Sequence, residues 1–403
     1  MTERNPQDCE TGLKILQVVL TPPYAWETGG CARFVHEVSR TLAKMGHEVT
    51  ILTTDMLHSG SRYQSGENPS FQDGVRIVRI RNLSDWLARR FKLYVTPGSA
   101  KYLRREISNF DIVHLQDLLS NLAIDTERYC RRYSIPYILT THGSANWLRQ
   151  RKSLNQTVRT VFASRVLMNA SYITALNRSE AADLVALGVL EDRIVVIPNG
   201  IDADAYGSIP RSGGFRSRIG ADENTSFVSY VGRIHESKGL DLLVEAFSGV
   251  VGCLQDTRLV LCGPDDGYLN HLTKQLRRLG LEDSTIITGF VSESEKMEVL
   301  VDSDVFVTPR FRGFPATFLE ACLCGTPIVT TVGGDKLDWI DNRVGYVVEP
   351  RADSIREAVL RILREKETHR RLSEEGIKMA RGEFSWMNVV RKLEALYFAA
   401  SRG

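Results

Sequence analysis

No stretch of this 403-residue sequence reaches the roughly 18 uninterrupted apolar residues of a membrane-spanning helix, so no span is expected. Its start, MTERNPQDCETGLKILQVV, is polar before the first apolar run and shows no signal-peptide pattern. The dinucleotide fingerprint G-x-G-x-x-G is missing, and no fixed-period repeat points to a solenoid. Cysteine is sparse and scattered, at 9, 31, 130, 253, 262, 322 and 324. Only Cys322 and Cys324 lie close, as C-x-C, and no second pair follows at metal-ligand spacing. Small buried thiols in a reducing cytoplasm are the expectation. What is present is ordinary: 43% apolar and 25% charged residues exclude a disordered or fibrous chain. At roughly 150 residues per domain the length suits two or three domains.

The net charge is small, +2, but it is unevenly spread. Residues 1–176 hold 23 Lys and Arg against 15 Asp and Glu, whereas 177–403 hold 28 against 34. Between Arg76 and Glu106 nine basic residues face only Asp85 and Glu106. Either the first half meets an anionic partner or it carries a solvated basic face.

The pattern along the chain is α/β. An apolar run at 14–20, a Pro/Gly loop through Gly29-Gly30, a helical pattern at 33–45 ended by Gly46, and a β-branched run at 48–54 form a β-loop-α-β opening. Further strands are predicted at 75–80, 112–115, 137–141, 172–175 and 194–197. After Pro198-Asn199-Gly200-Ile201-Asp202 the alternation restarts, with strands at 227–232, 257–262, 285–288, 305–308, 328–331 and 345–348. Helices are predicted at 240–251 and 269–279. Two Rossmann-like doubly wound domains are expected, 1–202 and 203–385, with the ligand in a deep cleft between their strand ends. An amphipathic helix in 386–403 is expected to cross back to the first domain.

Four places carry chemistry. Val231-Gly232-Arg233-Ile234-His235-Glu236-Ser237-Lys238-Gly239 leaves a strand and enters a helix, and two cations there suit a diphosphate clamp. In Arg312-Gly313-Phe314-Pro315-Ala316-Thr317-Phe318-Leu319-Glu320 a helix is expected to begin with Pro315 in its first turn and to run to Cys324. Glu320, a turn further in, suits two vicinal ribose hydroxyls, although a helix-surface glutamate would read the same way. His142 follows a strand in Thr140-Thr141-His142-Gly143, where a ligand-facing and a structural histidine both fit. The Gly29-Gly30 loop lets backbone approach a ligand.

In order and spacing these stretches resemble a GT-B glycosyltransferase of the retaining, family 4 type over essentially the whole chain. The carriers are GG-x2-RFVHEVSRTLAKMGHEVTILTT, DIVHLQD, ILTTHG, IVVIPNGID, YVGRIHESKGLDLLVEAF, LVLCGP, ITGFV, DVFVTP and FLEACLCGTPIVTT. The resemblance implies that Arg233 and Lys238 bind the diphosphate of a nucleotide-sugar donor. It also implies that His142 reaches the donor sugar and that Glu320 holds the ribose. Gly30 would lie against sugar and acceptor, and Phe290 and Val291 would meet the nucleobase through backbone. Catalytic candidates are therefore His142, Arg233 and Lys238. Donor-binding candidates are Gly30, Val291, Gly313, Phe314, Pro315, Ala316, Thr317 and Glu320. The sequence departs from the pattern at Arg312, where the family has its first glutamate. Arginine offers donors and no acceptor, so the donor sugar differs, or the side chain turns away, or activity is reduced.

Two Asp-x-Asp pairs, Asp302-Ser303-Asp304 and Asp202-Ala203-Asp204, have the spacing of a metal site, but cap or turn carboxylates suit their positions better. The expectation is a metal-independent transfer with retention and no cofactor. Aromatic and basic residues interleave from Trp86 to Tyr94, with Lys101, Arg104 and Arg105 nearby. This suits an anionic membrane surface at the cytoplasmic face and a glycan or lipid-linked acceptor. No nucleic-acid recognition motif is present. Two other readings share the fold: a sugar-nucleotide epimerase and a non-catalytic subunit of a glycosyltransferase complex.

Overall fold

The structure, a computed structural model, describes residues 12–22, 30–56, 62–63, 68–91, 94–145, 154–203, 210, 212–222, 224–311, 314–332 and 337–402. The chain divides into two compact units, Met1–Pro198 with Val389–Gly403, and Asn199–Asn388. The sequence-based limits fall a few residues away, after 202 and 385. Ile201 forms a parallel bridge with Ser385, and a side chain on Gly200 would collide with the Trp386 ring, so this stretch belongs to the second unit.

In the first unit the strands are β1 (Lys14–Val18), β2 (Glu48–Thr54), β3 (Ser70–Gln72), β4 (Val75–Ile80), β5 (Ile112–Leu115), β6 (Tyr137–Thr140), β7 (Tyr172–Ala175) and β8 (Ile194–Val196). They form one sheet in the order β3-β4-β2-β1-β5-β6-β7-β8, parallel except for the β3–β4 pair. The central strands read as unbroken apolar runs because both faces are covered; β5 and β6 are buried at every residue. Of these strands, the sequence pattern does not predict β3. Asp73 (φ 51°) and Gly74 (φ 78°) make a two-residue turn between Gln72 and Val75. Positive φ at both turn positions is the reason an Asp-Gly pair closes a tight hairpin. Strand order reverses between β1 and β5, the point at which parallel sheets bind ligands beyond their carboxyl ends.

The helix Trp386–Arg402 completes this unit from Val389 onward. Val389, Val390, Leu393 and Tyr397 are fully buried, and this spacing of three to four puts them on one helical stripe. At its middle Glu394 meets His47 at 2.8 Å.

The second unit is an all-parallel sheet of β9 (Ser226–Val231), β10 (Thr257–Cys262), β11 (Thr285–Gly289), β12 (Val305–Thr308), β13 (Ile328–Thr331) and β14 (Gly345–Val348). Its order is β11-β10-β9-β12-β13-β14, so its switch point lies between β9 and β12. The helices Leu240–Cys253 and Ala352–Arg364 bury Leu243, Val244, Phe247, Ile355 and Val359 in the core beside the sheet. Among the described residues no helix is long and apolar enough to cross a membrane.

Candidate functional site

In the second unit the loop after β9 is shaped by close backbone approach. Gly232 (φ 154°) donates to Cys262 O at 2.8 Å, and a Cβ on Gly263 would overlap the Gly232 carbonyl oxygen. The chain then passes Arg233 and a short 3₁₀ turn, Glu236–Lys238, before Gly239 (φ 67°) caps the helix Leu240–Cys253. Arg233 and Lys238 thus stand on one strand-to-helix connection at the switch point. Arg233 is solvent-exposed and ion-paired to Asp266 of the neighbouring β10 connection. The sequence did not reveal that partner, nor Arg310, whose side chain lies so near Gly239 that a Cβ there would come within 3.0 Å of it. Arg310 follows β12, on the other side of the switch point, and brings a third cation to the loop.

The helix after β12 runs Ala316–Leu323. Pro315 is its N-cap (φ −68°, ψ 125°), not a first-turn residue, and Cys324 is its C-cap, which corrects the expectation from sequence. Proline's fixed φ tolerates the extended cap conformation, and the first-turn N–H groups of Ala316 and Thr317 have no intrahelical acceptor by helix geometry. The Phe314 side chain is core. It stacks on Trp339 (5.4 Å, 23°) and packs on Phe384 at 5.7 Å, and the Phe314 carbonyl accepts from Asn199 Nδ2 at 3.3 Å, so the side chain is committed to the core. Arg312 and Gly313 lie outside the described residues.

Glu320 is not a surface residue. It is 1% exposed and ion-paired to Lys296 Nζ at 2.9 Å, and Lys296 also holds Glu293 at 2.8 Å. Burial works against the Lys296 charge, but the Glu320 and Glu293 carboxylates outweigh it and raise its pKa. The Cys324 thiol, half-buried one helical turn from Glu320, is pushed up to about 12 by desolvation and by that charge. Lys296 is carried by the helix Glu293–Val301, started by a Ser292–Glu295 capping box. Just before it, Phe290 is 81% exposed and Val291 half-buried at the end of β11.

The carboxylates of Asp302 and Asp304 are used inside the fold. Asp302, buried, accepts from Ser212 Oγ, the Gly213 N–H and the Arg216 N–H. Asp304 accepts from the Phe227 N–H at 2.7 Å and from Arg216. Asp204 lies outside the described residues. Among the described residues no group of three His, Cys, Asp or Glu could hold a metal ion. The described cysteines are free, but Cys253 is exposed and Cys31 and Cys324 are partly exposed, so the buried-thiol expectation holds only for Cys130, Cys262 and Cys322.

In the first unit His142 sits beyond β6 in a left-handed conformation (φ 46°), followed by Gly143 (φ 81°). This turn is held by Glu180, a buried carboxylate that accepts from Thr141 Oγ1, the Gly143 N–H and, at 2.8 Å, the Leu176 N–H. The His142 ring packs edge-on against Phe34 (5.2 Å) and meets Gln116 Oε1 through Nε2 at 2.9 Å. Burial lowers its pKa to about 4. Phe34 belongs to the helix Gly30–Lys44, and Gly30 opens that helix after β1. The sequence singled out His142 and Gly30 but not Glu180 or Gln116. The signal in the sequence is the polar Gln116, two residues after His114 and just past the end of β5.

Two family models match the chain: Glycosyltransferase Family 4 over residues 28–205 and Glycosyl transferases group 1 over residues 214–379. It is similar to D-inositol 3-phosphate glycosyltransferase of Geodermatophilus obscurus, 28% identical over 95% of this chain and 87% of that one. It is 27% identical to a glycogen synthase of Mycobacterium tuberculosis, over 93% of this chain and 92% of that one. The Anabaena protein HepE, solved in complex with UDP, shares the fold with a TM-score of 0.73 at 16% identity, over 96% of this chain and all of that one. With one model on each of its two parallel-sheet units, the chain belongs to the GT-B glycosyltransferases of the Family 4 and group 1 type.

Proposed function

We propose that this glycosyltransferase moves a hexosyl group from a nucleoside-diphosphate sugar to a glycan or lipid-linked acceptor of the cell envelope, with retention at the anomeric carbon and without a metal. One observation carries the reading: at the switch point of the second sheet, the Arg233–Lys238 loop and the helix bearing buried Glu320 leave adjacent strands β9 and β12. Cations and helix-start N–H groups stabilise a departing diphosphate. Glu320 would take the ribose hydroxyls and the backbone at Val291 the base. Ala316 and Thr317 would offer N–H groups to the transferred sugar or its phosphate, and His142 would contact a sugar hydroxyl. HepE was solved with UDP, which supports a uridine donor as the first to try. The metal-independent course is supported by the commitment of Asp302 and Asp304 to backbone N–H groups and Arg216.

The acceptor side of the proposal is a peripheral site at the cytoplasmic membrane face. Trp86 is 66% exposed on the short helix Asp85–Phe91, with exposed Leu83 nearby in the most basic stretch of the chain. Apolar side chains with surrounding cations suit an anionic lipid interface.

The test is product analysis with a panel of radiolabelled nucleotide sugars and lipid-linked or glycan acceptors. Label transferred to an acceptor in the donor's anomeric configuration supports the proposal. Label recovered only as an epimerised nucleotide sugar, or no turnover despite tight nucleotide binding, would replace it by an epimerase or by a non-catalytic subunit.

A further inference from the structure

A polar stripe crosses one face of the first sheet. Gln17 on β1, His114 on β5, Gln116 just beyond it, Thr140 on β6 and Thr174 on β7 are all nearly inaccessible, as is Tyr397 of the C-terminal helix. Buried polar groups must find partners, and these find one another in a single line. His142 Nε2 meets Gln116 Oε1 at 2.9 Å, and Gln116 Nε2 donates to Gln17 Oε1 at 3.0 Å. Gln17 Nε2 donates to the Tyr397 hydroxyl at 3.1 Å, and that hydroxyl meets His114 Nδ1 at 2.6 Å. His114 Nε2 meets Thr140 Oγ1 at 2.8 Å, and Thr140 meets Thr174.

The proton positions follow from the ends inward. An amide oxygen only accepts, so His142 Nε2 must carry the proton it gives to Gln116. The Tyr397 hydroxyl accepts from Gln17, and its own buried proton, which needs an acceptor, goes to its other neighbour, His114 Nδ1. That leaves His114 Nε2 as the protonated nitrogen, donating to Thr140. Every bond then points the same way, an arrangement in which each member strengthens the next.

We propose that Gln116, Gln17 and Tyr397 are positioning residues that hold His142 as the neutral Nε2–H tautomer, leaving Nδ1 as an acceptor for a ligand that presents a hydroxyl. The order of the chain makes the C-terminal helix, through one phenol oxygen, part of the machinery that sets the His142 proton. Desolvation, which lowers the pKa of both His114 and His142, keeps the rings neutral as the relay requires. The role of Nδ1 toward a sugar hydroxyl rests on the proposed transfer; the tautomer does not.

The experiment is side-chain ¹H–¹⁵N spectroscopy of the histidines in the full-length protein at neutral pH, with His142 assigned by loss of its signals in His142→Asn. The expected wild-type pattern is a single neutral form, pyrrole-type at Nε2 and pyridine-type at Nδ1. In Tyr397→Phe and in Gln116→Leu the His142 nitrogens shift toward the averaged values of mixed tautomers. Gln116→Leu leaves the helix contact intact, so it decides the matter if Tyr397→Phe does not fold. A charged or Nδ1–H His142 in the wild type overturns the proposal, and so does an unchanged Nε2–H pattern in Gln116→Leu. A protein that shows the pinned tautomer but moves no sugar retains this inference and loses the transfer reading.

Discussion

Lowering the pH should destabilise the first unit through His114. Its ring is fully buried, and burial first, with the neighbouring His142 second, lowers its pKa to about 3. In the unfolded chain a histidine titrates near 6.5. Below that pH the unfolded state takes up a proton that the native ring refuses until about pH 3. Unfolded molecules therefore bind more protons through this window, and stability falls as pH falls from 6.5. The slope per histidine approaches about 1.4 kcal/mol per pH unit, or about 2 kcal/mol between pH 7.5 and 5. The structure supplies the reason. A proton on His114 Nδ1 would face the Tyr397 hydroxyl that already donates to it, and the line of bonds through Gln17 would have to reverse. His114→Gln removes the titrating group while keeping one donor and one acceptor. Urea unfolding of both proteins across this range isolates His114 from His142, whose lowered pKa acts in both. The wild type should lose its stability advantage over the variant by about 2 kcal/mol on going to pH 5. A difference constant to within about 0.5 kcal/mol, the usual limit of additivity, would refute a neutral, proton-excluding His114.

Arg233→Ala and Lys238→Ala should each weaken UDP binding relative to uridine, by about 1.5–3 kcal/mol for a lost charge-assisted contact. Because Arg233 is already paired with Asp266, Asp266→Asn should tighten UDP binding; calorimetric titration checks all three. Lys296→Met should destabilise the second unit by about 3–5 kcal/mol by leaving a buried carboxylate without its cation, and Glu320→Gln added to it should restore much of the loss in denaturant unfolding. EDTA should leave sugar transfer intact, whereas Asp302→Ala should lower the melting temperature by exposing the Gly213 and Arg216 N–H groups to loss of their acceptor; activity lost to EDTA and restored by Mg²⁺ would contradict this. Anionic liposomes should sediment the protein at low salt and release it at high salt, since screening acts within about 8–10 Å at 0.1–0.15 M, and Trp86→Ala should reduce the sedimented fraction.

The strands were legible because their signal is local. A parallel strand covered on both faces is a short apolar run, and β2, β5, β10, β12 and β13 follow such runs to within a residue. The same locality explains why the sequence does not predict β3: it is three residues long and mostly exposed, and its Asp-Gly turn is its one local mark. Placement of Arg233 and His142 just past strand ends, and of Glu320 on the helix after β12, follows from the alternation of strand and helix, and the structure has them there. Their partners did not follow. Lys296 reads as half of an i,i+3 pair with Glu293, and nothing local says that it also neutralises Glu320 from another helix. Glu180 reads as a first-turn helix residue, yet it holds the His142 turn from 37 positions away in sequence. Gln17 and His114 meet Tyr397 across 380 and 283 residues. Periodicity along a chain specifies which face of an element is buried, because burial of apolar area acts residue by residue. Which buried polar atom meets which depends on strand order and on where the last helix docks. Hydrogen bonds act over about 3 Å and only at the right angle, so the proton arrangement around His142 was decided by tertiary structure alone.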